Sequence, residues 1–182
     1  MINTKTVIAV IPARGGSKRC PRKNIKEYKG KPLIQWAHES AQGSEYIDHL
    51  VVSTEDHEIM RVATNLDYDV VIRPNWIATD TATNEDVMRH VLTLSKHDII
   101  VLLQPTSPLR TVDDIDYCIK EVETYDKPCI SYERFGGKKN GAVYACTSLW
   151  LNSGNDFNMF YCLPHYMPTD RSLDIDYPEQ FE

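Results

Sequence analysis

The chain has 182 residues, a length that favours one domain with a sizeable core. Its formal net charge of −6 argues against a global basic field, so no nucleic-acid partner is expected. No apolar run approaches the roughly 18 residues of a membrane span, and the apolar run near the N-terminus is too short for a signal-peptide core. The five cysteines, Cys20, Cys118, Cys129, Cys146 and Cys162, are odd in number and widely spaced, with no CxxC. That spacing disfavours a zinc site or a disulfide framework and fits a reducing cytoplasm.

Residues 8–11 (IAVI) read as an apolar strand that breaks at Pro12 into a loop with Gly15, Gly16 and Ser17. The loop carries five cations: Arg14, Lys18, Arg19, Arg22 and Lys23. Glycines let backbone N–H groups approach an anion, and Lys and Arg side chains neutralise its charge, so the loop is a candidate phosphate cradle. A solvated surface loop is the alternative. Neither GxxxxGK[ST] nor GxGxxG is present, which excludes a P-loop NTPase signature and a dinucleotide fingerprint. Cys20 lies among the cations and is a candidate reactive thiol, since nearby positive charge lowers a thiol pKa.

Residues 33–42 predict a helix with Pro32 near its first turn. Residues 50–53 (LVVS) predict the second strand, 56–65 an acid-led helix, and 69–72 (DVVI) a third strand closed by Arg73-Pro74. A helix is predicted over 84–95, capped near Thr83 or Asn84. The run IIVLL at 99–103 predicts a strand buried on both faces, and 112–123 a helix begun by Thr111. Residues 129–132 and 142–146 are further strand candidates, and 134–140 (RFGGKKN) is the most flexible-looking segment. Strands spaced by helices predict an α/β fold: a doubly wound, mostly parallel sheet with helices on both faces. Ligands of such sheets sit at the carboxyl ends of the strands, where the informative residues fall.

After the 99–103 run comes QPTSPLRT, residues 104–111. Gln104 offers an amide donor and acceptor, and Thr106, Ser107 and Arg110 are candidate contacts to a polar ligand. A rigid strand-to-helix connection is the alternative. Near the C-terminus, Asp174 and Asp176 share one face of any extended segment. Two carboxylates on one face suit a hard divalent cation completed by phosphate oxygens, although solvated acidic pairs are common. His38, His57 and His90 fall in predicted helices and read as surface or packing residues, as do Trp36 and Trp76.

Four segments together resemble the acylneuraminate cytidylyltransferase family, the CMP-sialic acid synthetases: 11–25 (IPARGGSKRCPRKNI), 73–83 (RPNWIATDTAT), 102–111 (LLQPTSPLRT) and 172–176 (SLDID). NGAVY at 140–144 is a shorter match, and the GSKRxPRKN form resembles the pseudaminic or legionaminic acid branch. The resemblance implies a Rossmann-like nucleotidyltransferase fold in a single domain over 1–182. It implies transfer of CMP from CTP to a 2-keto sugar acid, with pyrophosphate leaving. Arg14, Gly15, Ser17, Lys18 and Lys23 would wrap the triphosphate, with Asn24 nearby. Arg73, Thr81 and Asn84 would line the nucleotide pocket. Gln104 would approach the sugar acid, Ser107 and Arg110 would hold the loop or the acid's carboxylate, and Asn140 would join the substrate set. Asp174 and Asp176 would bind Mg²⁺. Arg14, Lys18 and Lys23 would be the catalytic cations, aligning the phosphates and stabilising their charge; no general base can be named.

The match departs from the family in two places. The long insertion that usually forms the dimerisation arm is reduced to a short loop near 133–139, so a monomer, or a dimer unlike the usual one, is expected. Lys138 and Lys139 are the cations left there to meet an acid substrate. The family chain also continues into a C-terminal helix, whereas this sequence stops at Glu182. The alternatives are a nucleotidyltransferase for another sugar acid such as Kdo, and a nucleotide-binding module that no longer catalyses.

Overall fold

The structure, a computed structural model, describes residues 1–134, 137–159 and 161–182. Phe135 and Gly136, in the segment expected to be flexible, lie outside the described residues. In chain order the elements are β1 (Val7–Pro12), a hairpin of β2 (Glu27–Tyr28) and β3 (Lys31–Pro32), α1 (Leu33–Gln42), β4 (His49–Thr54), α2 (His57–Asn65), β5 (Val70–Ile72), α3 (Asn84–Leu94), β6 (Ile99–Leu102), α4 (Val112–Tyr125), β7 (Cys129–Glu133), β8 (Lys139–Thr147), α5 (Ser148–Asn152) and β9 (Leu163–Met167).

Seven of these strands form one sheet in the order β5-β4-β1-β6-β8-β7-β9. Strands β5, β4, β1 and β6 are mutually parallel. Strand β8 runs antiparallel to both β6 and β7, and β9 pairs parallel with β7. The mostly parallel, doubly wound α/β expectation holds, with β8 inserted antiparallel between β6 and β7.

The apolar runs of β1 and β6 explain why these strands are central. Val7, Ala9 and Ile11, with Ile99, Val101 and Leu103, face one core, shared with Ile34 and Ala37 of α1, Ile59 of α2 and Ile115 and Ile119 of α4. Ile8, Val10, Ile100 and Leu102 face the other, shared with Val87, Met88 and Val91 of α3 and Leu151 of α5. A strand buried on both faces has no polar alternate, so continuous apolar sequence marks it. Each fully buried Ile or Leu contributes about 2 kcal/mol.

The helix starts follow from local chemistry. Asp56, expected inside α2, is its N-cap, and its Oδ1 accepts from the Glu58 and Ile59 amides at 2.9 and 3.1 Å. Thr83 caps α3 in a reciprocal box with Asp86, and at the start of α4 Thr111 donates its amide and hydroxyl to Asp114 Oδ2 at 2.8 and 2.9 Å. From β1 the chain moves outward to β4 and β5, then returns through α3 on the opposite face to β6. The order reverses between β1 and β6, and a crevice opens at their carboxyl ends.

Candidate functional site

That crevice is a cleft of about 580 Å³. Its floor and walls come from the segments after β1, β5 and β6 and from the C-terminal segment at 174–176. Of the residues singled out in the sequence, Arg14, Ser17, Lys18, Arg19, Lys23, Asn24, Arg73, Asn84, Gln104, Thr106, Asp174 and Asp176 line it.

The loop after β1 is braced from within. The Ala13 amide donates to the Ser53 carbonyl at 2.9 Å, which ties the loop's start to the end of β4. Buried Asn24 donates through Nδ2 to the Arg14 carbonyl at 2.9 Å and closes the loop on itself. Gly15 presses against α2: a Cβ there would lie 2.2 Å from Asp56 Oδ2. Its amide donates to Glu55 Oε1 at 2.7 Å, so in this state it points at protein rather than into the cleft. Cys20 is buried, with only 1% of its surface exposed, which is the setting of a packing thiol. All five cysteines are free thiols.

The loop's five cations all meet carboxylates. Lys23 contacts Asp176 Oδ1 at 2.8 Å, and Arg19 contacts Asp176 Oδ2 at 2.8 Å. Arg14 contacts Asp80 at 2.9 Å, and Lys18 takes the other Asp80 oxygen. Arg22 bridges Asp56 and Glu58. Asp80 lines the cleft and had no part in the sequence-level assignment; only the trajectory of the loop before α3 brings it to the cations.

Asp174 and Asp176 both line the cleft, while Ile175 between them is fully buried against Tyr28 and Leu33. The Ile175 amide donates to the Thr106 carbonyl at 2.8 Å. Gln180 secures the other side: its Oε1 accepts from the Asp176 and Tyr177 amides at 2.7 and 2.8 Å, and its Nε2 donates to the Asp174 carbonyl at 3.0 Å. No motif flags Gln180. Burial raises the Asp174 pKa above its ordinary value of 3.8; a Thr106 hydrogen bond opposes this and the Asp176 charge adds to it. Asp174 Oδ1 is buried with no hydrogen-bond partner. An orphaned carboxylate oxygen beside a second carboxylate fits a hard cation. Among the described residues no third His, Cys, Asp or Glu joins them, so phosphate oxygens and water would complete the shell.

Arg73 sits at the cleft's base, buried, donating to Ser53 O at 2.6 Å and to Ser53 Oγ at 3.3 Å. Burial brings its pKa down to about 10, with Glu55 acting against the shift and Arg14 with it. Gln104 reaches Asn84 Oδ1 at 3.5 Å, at the outer limit of a hydrogen bond.

The remaining candidates lie outside the lining. Thr81 is exposed and its hydroxyl meets that of Thr79 at 3.0 Å. Ser107, Arg110 and Asn140 are buried behind the cleft. Ser107 Oγ donates to the Asn140 carbonyl at 3.0 Å, and Arg110 donates to the carbonyls of Ala142 and, at 2.6 Å, Gln104. Asn140 Oδ1 accepts from Ser131 Oγ at 2.6 Å. This is the geometry of residues that hold the 104–110 loop against β8. Burial lowers Arg110 to about 9.

The cleft thus gathers cations of the loop and the carboxylates of Asp174 and Asp176 at the sheet's reversal point, and comparison with known proteins shows the family. The model of the Cytidylyltransferase family matches residues 8–173. An N-acylneuraminate cytidylyltransferase of Escherichia coli is 28% identical over 97% of this chain and 50% of its own length. A pseudaminic acid cytidylyltransferase of Campylobacter jejuni is 30% identical over 84% of this chain and 66% of its own. The chain therefore spans about half to two thirds of the length of these relatives. A solved CMP:2-keto-3-deoxy-manno-octonic acid synthetase complexed with CTP shares the fold at a TM-score of 0.81 and 17% identity, covering 97% of this chain and 95% of that one. Fold, cleft and sequence agreement converge, and the chain belongs to the cytidylyltransferase family.

Proposed function

We propose that this chain transfers CMP from CTP to a 2-keto sugar acid of the sialic, pseudaminic or legionaminic type and releases pyrophosphate. The observation that carries the reading is the meeting of the Arg14, Lys18 and Lys23 cations with the Asp174 and Asp176 carboxylates in one cleft at the sheet's reversal point.

The protein's work in this reaction is alignment and charge stabilisation. Arg14, Lys18 and Lys23 would hold the triphosphate and neutralise charge developing on its oxygens. Arg73, buried at the base, and Asn84 would face the nucleoside. Gln104 would meet the acid, with Arg110 and Ser107 fixing its loop. Asp174 and Asp176 would hold Mg²⁺, which supplies further neutralisation of the phosphates when bound. Asp176 would exchange its pairing with Lys23 and Arg19 for that role.

The short connection between β7 and β8 supports a single domain without the usual dimerisation arm, working as a monomer or in a different dimer. No helix among the described residues is long and apolar enough to cross a membrane; with the free thiols, this supports placement in the cytoplasm. Incubation with CTP, Mg²⁺ and a panel of eight- and nine-carbon keto acids tests the reading. Mass spectrometry should find the CMP ester of one acid. No ester from any acid, with CTP bound, would favour a binding module.

A further inference from the structure

We propose that Asp80 is an anion gate: its carboxylate occupies a phosphate position between Arg14 and Lys18 and sets how tightly the loop takes, and how readily it releases, polyphosphate. The proposal rests on reading the cleft as a triphosphate site.

Asp80 stands on the connection between the 3₁₀ turn Asn75–Ile77 and α3, on the wall opposite the loop. Arg14 Nη1 lies 2.9 Å from Asp80 Oδ1 and also donates to the neighbouring Thr79 carbonyl at 2.9 Å. Lys18 takes Oδ2, although 81% of its side chain is exposed and little else holds it. The loop is thus pinned across the cleft by one carboxylate that two cations share, the same arrangement that would hold a phosphate oxygen pair.

The other carboxylates on the loop have second tasks. Asp56 caps α2. Asp176 is the metal candidate. Asp80 makes no polar contact besides these two cations among the described residues. It also titrates low: the Lys18 hydrogen bond, with the Lys18 charge and Arg14 behind it, outweighs the opposing desolvation. It is therefore a fixed negative charge that any incoming anion must displace.

A tethered carboxylate sets a threshold. A small anion gains only Arg14 and Lys18 for displacing it, whereas a triphosphate spans Arg14, Lys18 and Lys23 together. After transfer, the return of Asp80 to Arg14 and Lys18 would help expel pyrophosphate. Removing the charge should tighten polyphosphate binding by about 3- to 10-fold, from the few-fold that each exposed ion pair is worth. The gain should grow as salt is lowered.

The test is calorimetric titration of inorganic pyrophosphate and tripolyphosphate into wild type, Asp80→Asn, Asp80→Ser and Asp80→Glu, with circular dichroism to verify the fold. Asp80→Asn and Asp80→Ser should bind both anions about 3- to 10-fold more tightly, and Asp80→Glu should match wild type. In steady state, Asp80→Asn should lower KM for CTP and lower kcat through slow pyrophosphate release. Unchanged or weaker anion binding in folded Asp80→Asn or Asp80→Ser overturns the gate; weaker binding would make Asp80 a ligand support instead. Tighter binding without CMP transfer by wild type would leave the gate standing and remove the transfer reading. Normal transfer with no tightening would do the reverse.

Discussion

Lys23 and Asp176 stand 153 residues apart in sequence and meet in the cleft, Nζ to Oδ1, at 2.8 Å. The N-terminal loop and the C-terminal acidic segment are therefore one site, and neither end can be displaced without disturbing the other. The pair also keeps a cation and an anion in place where a phosphate and a metal ion would separate them.

Lys23→Gln should lower kcat for pyrophosphate release by about 100-fold or more, the usual loss when a charge stabiliser of the transition state is removed. Lys23→Arg should recover part of it. Turnover within a factor of two of wild type for Lys23→Gln would remove Lys23 from the chemistry.

Asp174 makes a prediction on stability and pH together. Its pKa is raised, chiefly by burial. A raised carboxylate favours folding only while protonated; that contribution fades as pH rises through its folded value, and the ionised group then opposes folding. At neutral pH and without metal, Asp174→Asn should therefore melt at or above wild type while losing transfer activity. For the wild type, protons compete with Mg²⁺ at this carboxylate, so the Mg²⁺ concentration for half-maximal activity should rise as pH falls toward the region above 3.8. A metal-free Asp174→Asn that melts well below wild type would contradict this account of the site.

Gly141, at the start of β8, has φ of +75°, and a Cβ there would lie 2.4 Å from Gln104 Oε1. Gly141→Ala should cost about 1 kcal/mol or more of stability, because the left-handed conformation strains any other residue. It should also push the Gln104 amide aside and raise KM for the sugar acid more than KM for CTP. Equal effects on the two KM values would show that Gln104 does not meet the acid.

Asp114 ties the acidic segment's approach to the rest of the fold. It is buried, and it accepts from His165 at 2.8 Å, from the Thr111 amide at 2.8 Å and from Arg171. Burial alone would raise its pKa, but the His165, Thr111 and Arg171 hydrogen bonds outweigh it and hold the group well below the carboxylate range. A depressed carboxylate stabilises the fold above its unfolded value, and that stability is lost as pH falls from about 4 downward. Asp114→Ala should cost about 3 kcal/mol or more in urea unfolding and flatten the acid limb of the stability curve. A loss below about 1 kcal/mol would mean that the cluster is only a surface tether.

What the sequence shows plainly is what local pattern controls. The run IAVI reads as an apolar strand and IIVLL as one buried on both faces because every position is apolar, and β1 and β6 are those strands. The Asp174–Ile175–Asp176 alternation also placed both carboxylates on one side, since Ile175 must bury. Strand β9 (LPHYM) escaped notice because an edge strand carrying Pro164 and His165 has no continuous apolar pattern. Helix α5 and the β2–β3 hairpin are too short for a period to show. Asp80 and Gln180 act through loop paths that no spacing encodes, and Asp114, in the first turn of the helix begun by Thr111, gains Arg171 and His165 only from the tertiary fold.

The most direct test of the cleft's assignment is pyrophosphate release with Mg²⁺ and a panel of keto sugar acids, using CTP and then ATP or UTP in its place, alongside Asp176→Asn. The account predicts release with CTP and one acid, little with the other nucleotides, and loss in the folded variant. Release that is indifferent to the base, or that survives Asp176→Asn at limiting Mg²⁺, would contradict it.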